Sequence, residues 1–554
     1  MKWLFRPLLL LLVALALAVY AAWLLYRTPS GDMRTEPKDV PSGDQEIAFL
    51  YQATNGSTWE RFVTAVSAAA KRLRNKDFPD LTVDDANAFP QQTYVVPEVS
   101  LRVRPGAGRL LFRWYKLTST QKTGDWVEAL LKRSPPPLAV IGGNTSDAAN
   151  ELATSLRDAP KKLDAAKKLP EAKRPLLLLT TATADRVEQP AGRVLALPSI
   201  YAGRTFRFCF TNPQMAATVT DFIWSQGDLR PDSEPVYYVY WEDDAYSKDL
   251  KLSFTEAIQQ PALSSGALAV ARDWCWLYGS MASGGFPLNL ATLRGSQFRF
   301  GNLTPEPNLI SSLGTFDRPS PEDERAAGWL IQELGQQVGQ QRPLLVLAGQ
   351  SQPSRRFLRA LEHSAPVEAR RFVVATGDTL AFNTIYRDRG VAWPIQDLPF
   401  SLVFFCHRNP VDADAGFRPA DDVATQGKGG GPSGTEDLLL FRDIVEAITL
   451  AAYQDGDLTT DAARLEAAFR AVRLNDDTPT AQPLFDAEGN RRTGTGEHVV
   501  YLRPVIEGER VLPKAVLTIW SRQEKQRNGW QLRRELPVQY DRPYGEGGPS
   551  HGGD

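Results

Sequence analysis

What most limits the fold of this 554-residue chain is a grammar that recurs along it: a short apolar run of strand length, a polar loop, then a segment of helical period. Residues 46–52 (EIAFLYQ) lead through ATNGST into Trp59, Phe62, Val63, Val66, Ala70 and Leu73, with Ser57 or Thr58 placed to cap the helix. Residues 138–142 lead through GNTS into DAANELATSL, and 176–179 lead through TTATAD. Further on, 236–241 pass through EDDAYS to a helix near 250–258, and 344–348 pass through GQSQPS to 355–361. Strands alternating with helices predict βαβ crossovers and an α/β fold of parallel sheets covered on both faces. Ligands in such open sheets sit beyond the carboxyl ends of the strands, so the loops just named are the places to look for function.

Composition narrows the function. Lys plus Arg number 63 against 65 Asp plus Glu, a net charge of −2, which does not suit a dedicated nucleic-acid binder. The 43% hydrophobic content supports a packed chain instead of a disordered one. Cys209, Cys275 and Cys406 are too far apart for close-spaced zinc patterns, and the four histidines form no HExxH run. Neither a metal nor a cofactor is expected.

The N-terminus reads as an address. Lys2 and Arg6 precede an apolar run from residue 8 to residue 26, which at about 1.5 Å per residue spans a roughly 30 Å hydrocarbon core. The charge on its flank predicts a single transmembrane helix, N-in, with the soluble part in the periplasm or another extracytoplasmic space. A cleavable signal peptide ending near Val19-Tyr20-Ala21 is the alternative. Residues 28–44 read as a linker and 536–554 as a disordered tail; 98–118, a hairpin around Pro105-Gly106, and 264–318 read as insertions. Residues 426–434 form a Gly-rich loop, 438–453 and 462–472 read as helices, and 498–502 and 516–520 as strands.

Several residues stand where a ligand would be met, each with a plainer use. Thr145 and Ser146 lie between a strand and a helix, where a hydroxyl beside free N–H groups suits a carboxylate or phosphate, and where an ordinary N-cap is the commoner use. Ala182 and Thr183 repeat the arrangement one strand later. Tyr246 suits a pocket wall or a core, and Asp378, in VVATGD, suits a ligand ammonium or a cap. Ser351 in GQSQP lacks the second glycine of a nucleophile elbow. Cys406 and His407, adjacent in a strand, point to opposite faces, and GKGGGPSG has its lysine on the wrong side of the glycines for a P-loop. No catalytic set assembles.

The segments IGGNTS (141–146), LTTATAD (179–185), FRFCFTNPQMAA from Phe206, VYWEDDAYSKDL (239–250), FVVATGD (372–378) and LFDAEGNRR (484–492) resemble, in order and spacing, the type I periplasmic binding proteins, in particular the branched-chain amino-acid receptors of ABC importers. The resemblance runs with interruptions from about residue 45 to about 505. It implies two α/β lobes joined by three crossings: 45–204 with 379–480, and 205–378 with 481–535. It also implies that Ser146, Ala182 and Thr183 grip a ligand carboxylate, that Tyr246 walls the pocket and that Asp378 pairs with a ligand ammonium. Asn212 stands where the family carries a further acid, a departure that removes charge from the amine site. The expected protein is a membrane-anchored, non-enzymatic receptor for a small amino-acid-like or carboxylate solute, serving an ABC permease or a sensor. A cleft filled by the insertions, giving a ligand-less structural or protein-interaction module, is the alternative.

Overall fold

The computed structural model describes residues 36–92, 95–162, 169–189, 192–231, 236–241, 244–264, 297–300, 319–336, 342–364, 370–380, 399–411, 436–454, 457–474, 482–494, 496–507, 510–522 and 529–539. The expected membrane segment, most of the 264–318 insertion, the Gly-rich loop and the tail beyond 539 lie outside these residues. Among the described residues no helix is long and apolar enough to cross a membrane.

The first sheet contains β1 (Gln45–Gln52), β2 (Thr82–Asp84), β3 (Glu98–Arg102), β4 (Leu110–Leu117), β5 (Ala139–Gly142) and β6 (Leu176–Leu179). A separate small hairpin, β7 (Arg186–Glu188) and β8 (Val194–Ala196), precedes its last strand, β9 (Thr205–Arg207). The order is β2-β3-β4-β1-β5-β6-β9, and the five strands from β4 to β9 run parallel. Phe49 of β1 lies in register with Trp114 on one side and Ile141 on the other. Seven of the eight β1 residues are buried, as a strand covered on both faces requires.

The hairpin at 98–118 forms as the sequence predicts, turning near Gly106 at φ 83. It is not an insertion, however: β4 pairs in parallel with β1 in the body of the sheet, and all of its residues but Lys116 are buried.

Helices cover both faces. One carries α1 (Gly56–Lys76), whose Trp59, Phe62, Val66, Ala70 and Leu73 form the expected stripe. The helix begins two residues earlier than a Ser57 cap would place it, with Asn55 at the cap position. The other face carries α2 (Thr123–Lys132) and α3 (Ser146–Lys162), and a short α4 (Leu197–Ile200) follows β8.

The second sheet contains β10 (Val236–Trp241), β11 (Gln297–Phe300), β12 (Leu344–Ala348), β13 (Val373–Thr376) and β14 (Ser401–Cys406). After the small pair β15 (Tyr453–Gln454) and β16 (Asp457–Leu458) come β17 (His498–Glu507), β18 (Arg510–Arg522) and β19 (Trp530–Gln539). The order is β11-β10-β12-β13-β14-β17-β18-β19: five parallel strands extended by three antiparallel ones. α5 (Asn212–Ser225) and α6 (Ala245–Ser264) pack on one face, α7 (Pro321–Gln336) and α8 (Ser351–Ser364) on the other. α9 (Glu436–Ala452) and α10 (Ala462–Ala471) return to the first lobe, where Phe441, Ile444 and Phe469 join the core under α1.

The chain therefore passes between lobes three times, after β9, after β14 and after α10. Four expected boundaries move, two of them because β19 runs to Gln539, past the expected tail start at 536, and because Leu484 and Phe485 pack in the first-lobe core, past the expected return at 481. β14 lies in the second sheet between β13 and β17, so 401–406 belong to the second lobe and not to a block starting at 379. β9 pairs with β6, which keeps 205–207 in the first lobe.

Buried charge ties the crossings together. Asp443 of α9 lies 3.4 Å from Arg408, beyond β14, 3.6 Å from Arg442 and 3.5 Å from Arg491, on the way to β17. Arg491 also donates to the carbonyl of Phe208 in the first crossing and stacks over the Phe210 ring at 4.9 Å.

His498, buried at the start of β17 with Nδ1 against the Gly496 carbonyl, is held neutral by burial, its pKa lowered from 6.5 to about 3. Its contribution to stability is fully present above pH 6.5 and lost as pH falls toward 3, a span worth up to about 5 kcal/mol. Urea melts at pH 7, 5 and 4 should show wild type losing stability more steeply than His498→Leu; parallel curves would refute this assignment.

Candidate functional site

The strand ends place the functional loops. β5 and β6 of the first sheet end at the Ser146 and Thr183 loops, while β10, β13 and β14 of the second end near Tyr246, Asp378 and His407. The two sets meet through hydrogen bonds.

Thr145 is exposed and caps α3, its hydroxyl accepting the Ala148 N–H at 3.2 Å, so the plainer reading holds there. Ser146 is buried, and its Oγ accepts the Ala184 N–H at 3.2 Å, which fastens the β5 loop to the β6 loop. Ala182 is buried, with its carbonyl accepting from the Cys209 thiol at 3.4 Å. The Thr183 carbonyl accepts the Asn212 N–H at 2.8 Å, yet its Oγ1 is buried without a partner. Asn212 donates through Nδ2 to Asp249 at 2.9 Å and to the Tyr246 carbonyl at 3.3 Å, and its Oδ1 too is buried without a partner.

On the second lobe the Tyr246 hydroxyl donates to Asp378 Oδ1 at 2.9 Å. Gly377 permits this approach, because a Cβ there would lie 2.5 Å from the Tyr246 oxygen. The other carboxylate oxygen of Asp378 lies 2.9 Å from His407 Nε2. His407 Nδ1 accepts the Phe210 N–H at 3.1 Å, which assigns the ring hydrogen to Nε2 and makes it the donor to Asp378. Asp378, expected to meet a ligand ammonium, thus has both oxygens engaged by the protein. Burial, reinforced by this carboxylate, raises the Tyr246 pKa well above 10 and keeps the phenol protonated.

The site residues form a connected set: Thr183 to Asn212, Asn212 to Tyr246, Tyr246 to Asp378, and Asp378 to His407. Ser146 joins at the Ala184 amide; Thr145 does not join. Sequence reading considered His407 only as a partner for Cys406 and missed Asp249 and Arg207. Arg207 did carry a signal, a cation between Phe206 and Phe208 in an apolar strand.

Asp249, on α6, clasps the lobes. Its carboxylate accepts the Asp185 N–H at 2.8 Å, from the β6–β7 loop of the first lobe, and the Arg186 N–H at 3.2 Å, at the start of β7. Lys248 reaches Glu188, at the end of β7, at 3.6 Å. Burial pushes Asp249 up from 3.8 to about 6, despite the amide donors.

No family model matches the sequence, and no curated protein matches it. Solved structures match over most of the chain. An ABC transporter substrate-binding protein from Desulfitobacterium hafniense in complex with Leu is 13% identical, covering 85% of this chain and 99% of its own, with a TM-score of 0.46. A leucine-binding protein LivK from Thermotoga maritima is 12% identical, covering 89% and 98%, at 0.46. A solute-binding protein from R. palustris, in complex with 4-hydroxybenzoate, is 10% identical, covering 84% and 95%, at 0.46.

The raised Asp249 pKa has a definite sign: the ionised form is disfavoured in the fold, so its contribution to stability grows as pH falls through 6 toward 3.8. Between pH 7 and pH 4 the stability difference between wild type and Asp249→Asn should shift toward wild type by up to about 3 kcal/mol, measured by denaturant melts. A constant difference would show that Asp249 does not titrate in this window.

Proposed function

We propose that this chain is a two-lobed solute receptor that closes on a small amino-acid-like or carboxylate solute and performs no covalent chemistry. The observation that carries the reading is the interlobe site: strand ends of two parallel sheets meet across three crossings, with buried Thr183 Oγ1 and Asn212 Oδ1 left without partners between them. Buried polar atoms are costly unless something bonds to them, and a solute held between the lobes would do so. The reactive candidates support binding over catalysis: burial pushes the Cys209 thiol up to about 12 and raises that of Cys406, while both His407 nitrogens are engaged.

In this reading residues 8–26 anchor the receptor N-in, and its soluble part faces the extracytoplasmic space. An ABC permease or a sensor reads the closed form. Closure follows from binding because a solute that touches both lobes favours the closed state.

The second reading, a ligand-less interaction module, draws on the internal satisfaction of Ser146 and Asp378 and on the Asp249 clasp. Thermal melts of residues 41–554 against amino acids, amides, small carboxylates and sugars separate the two. A solute at 100 times its Kd should add about 2.7 kcal/mol and raise the melting temperature saturably. A cooperative melt that no member of the panel shifts would favour the interaction module.

A further inference from the structure

The most unusual side chain in the described molecule is Arg207, the last residue of β9. Phe206 and Phe208, its neighbours, face the core under α1, and the strand's alternation sends Arg207 to the opposite face, where it is 0% exposed. Its guanidinium makes one hydrogen bond, from Nη1 to the Thr183 carbonyl at 3.3 Å. Nε and Nη2 are buried with no partner. Asp185, Asp249 and Asp486 are near enough for their charge to favour the cation, but none forms an ion pair with it.

Nε–H and Nη2–H lie on one edge of the guanidinium and point in parallel, the arrangement that meets both oxygens of a carboxylate. The bond from Nη1 fixes the plane of the group. Thr183 Oγ1, also unpartnered, belongs to the residue that holds Nη1 and offers a third donor.

Across the lobe boundary the need is opposite. Asn212 Oδ1 is an acceptor without a donor, and Asp249, bonded to Asn212, forms no ion pair with a cation among the described residues. A simple anion at Arg207 would be repelled by the three aspartates, whereas a molecule with a donor at its other end would satisfy both sides.

We propose that Arg207 is the carboxylate anchor of the interlobe site, with Thr183 Oγ1 as its helper, and that the solute is a small carboxylate bearing an amino or hydroxyl donor for Asn212 Oδ1 and Asp249. The proposal rests on the solute-receptor reading and moves its anchor away from Ser146, whose Oγ is engaged with the Ala184 amide. Arg207 and Thr183 belong to the first lobe and Asn212 and Asp249 to the second, so such a solute bridges them.

The test uses purified full-length protein in detergent, with L-alanine, L-lactate, propionate and propylamine titrated by calorimetry and by thermal melting. L-alanine or L-lactate should bind saturably, propionate at least roughly 10-fold more weakly, and propylamine not at all. Arg207→Met should weaken the bound solute by roughly 100-fold, and Thr183→Val by roughly 5-fold. Without solute, Arg207→Met should melt at or above wild type, since it removes a buried unpaired cation; a purely structural arginine would leave the variant less stable. Should Arg207→Met fail to fold, the arginine is structural and the proposal falls. If the variant binds as wild type does, the anchor is wrong and the receptor reading stands. If the four probes fail while a sugar or amide from the wider panel binds, the carboxylate inference falls alone. Silence from every compound overturns both, and the orphaned donors are then met by buried water.

Discussion

The architecture turns on one buried carboxylate. Asp443 draws Arg408, Arg442 and Arg491 to itself, and those residues belong to the second crossing, to α9 and to the third crossing. Arg491 carries the link onward to the first crossing through the Phe208 carbonyl. Removing one member of a buried ionic group leaves the others uncompensated, typically at a cost of about 3–5 kcal/mol. The three connections are thereby held in fixed relation, at the point about which the proposed closure would pivot. A second group does similar work at the entry to the first lobe, where Glu46 accepts from Arg113, Arg133 and Tyr115 and fixes the start of β1.

A held pivot makes the contacts on the open side decisive. Asp249 reaches across to two main-chain amides of the first lobe, and Asn212 links it to Tyr246 and, through its own amide, to Thr183. These bonds close the lobes with no solute present. Their strength is limited, because burial penalises the ionised Asp249 that makes them. The same contacts leave Arg207, Thr183 Oγ1 and Asn212 Oδ1 unsatisfied.

How far the sequence revealed this depends on whether the determining contact is local. α1 was legible because its apolar residues recur every three or four positions, and β1 because residues 47–51 (IAFLY) are a continuous apolar run of strand length. β14 was misplaced because SLVFFC is an equally good inner strand for either sheet; only its pairing with β13 and β17 decides. β4 reads locally as part of an insertion because a hairpin is a local signal, whereas its parallel partner β1 is remote in sequence. Site positions were legible as loops after strands. The engagement of Asp378 by His407 and of two amides by Asp249 was not, since each joins residues that no spacing rule connects.

In the proposed receptor, the internal clasp would also determine what a solute can accomplish. A ligand shifts the lobes only by the difference in its affinity for the closed and open states. Where the protein's own bonds already favour closure, part of that work is done beforehand, and binding yields a smaller change of shape. Solutes that meet only Tyr246 and Asp378 compete with bonds the protein has made and gain little. Those that meet Arg207, Thr183 and Asn212 recover the energy of groups left bare, which is where the closed state has most to gain.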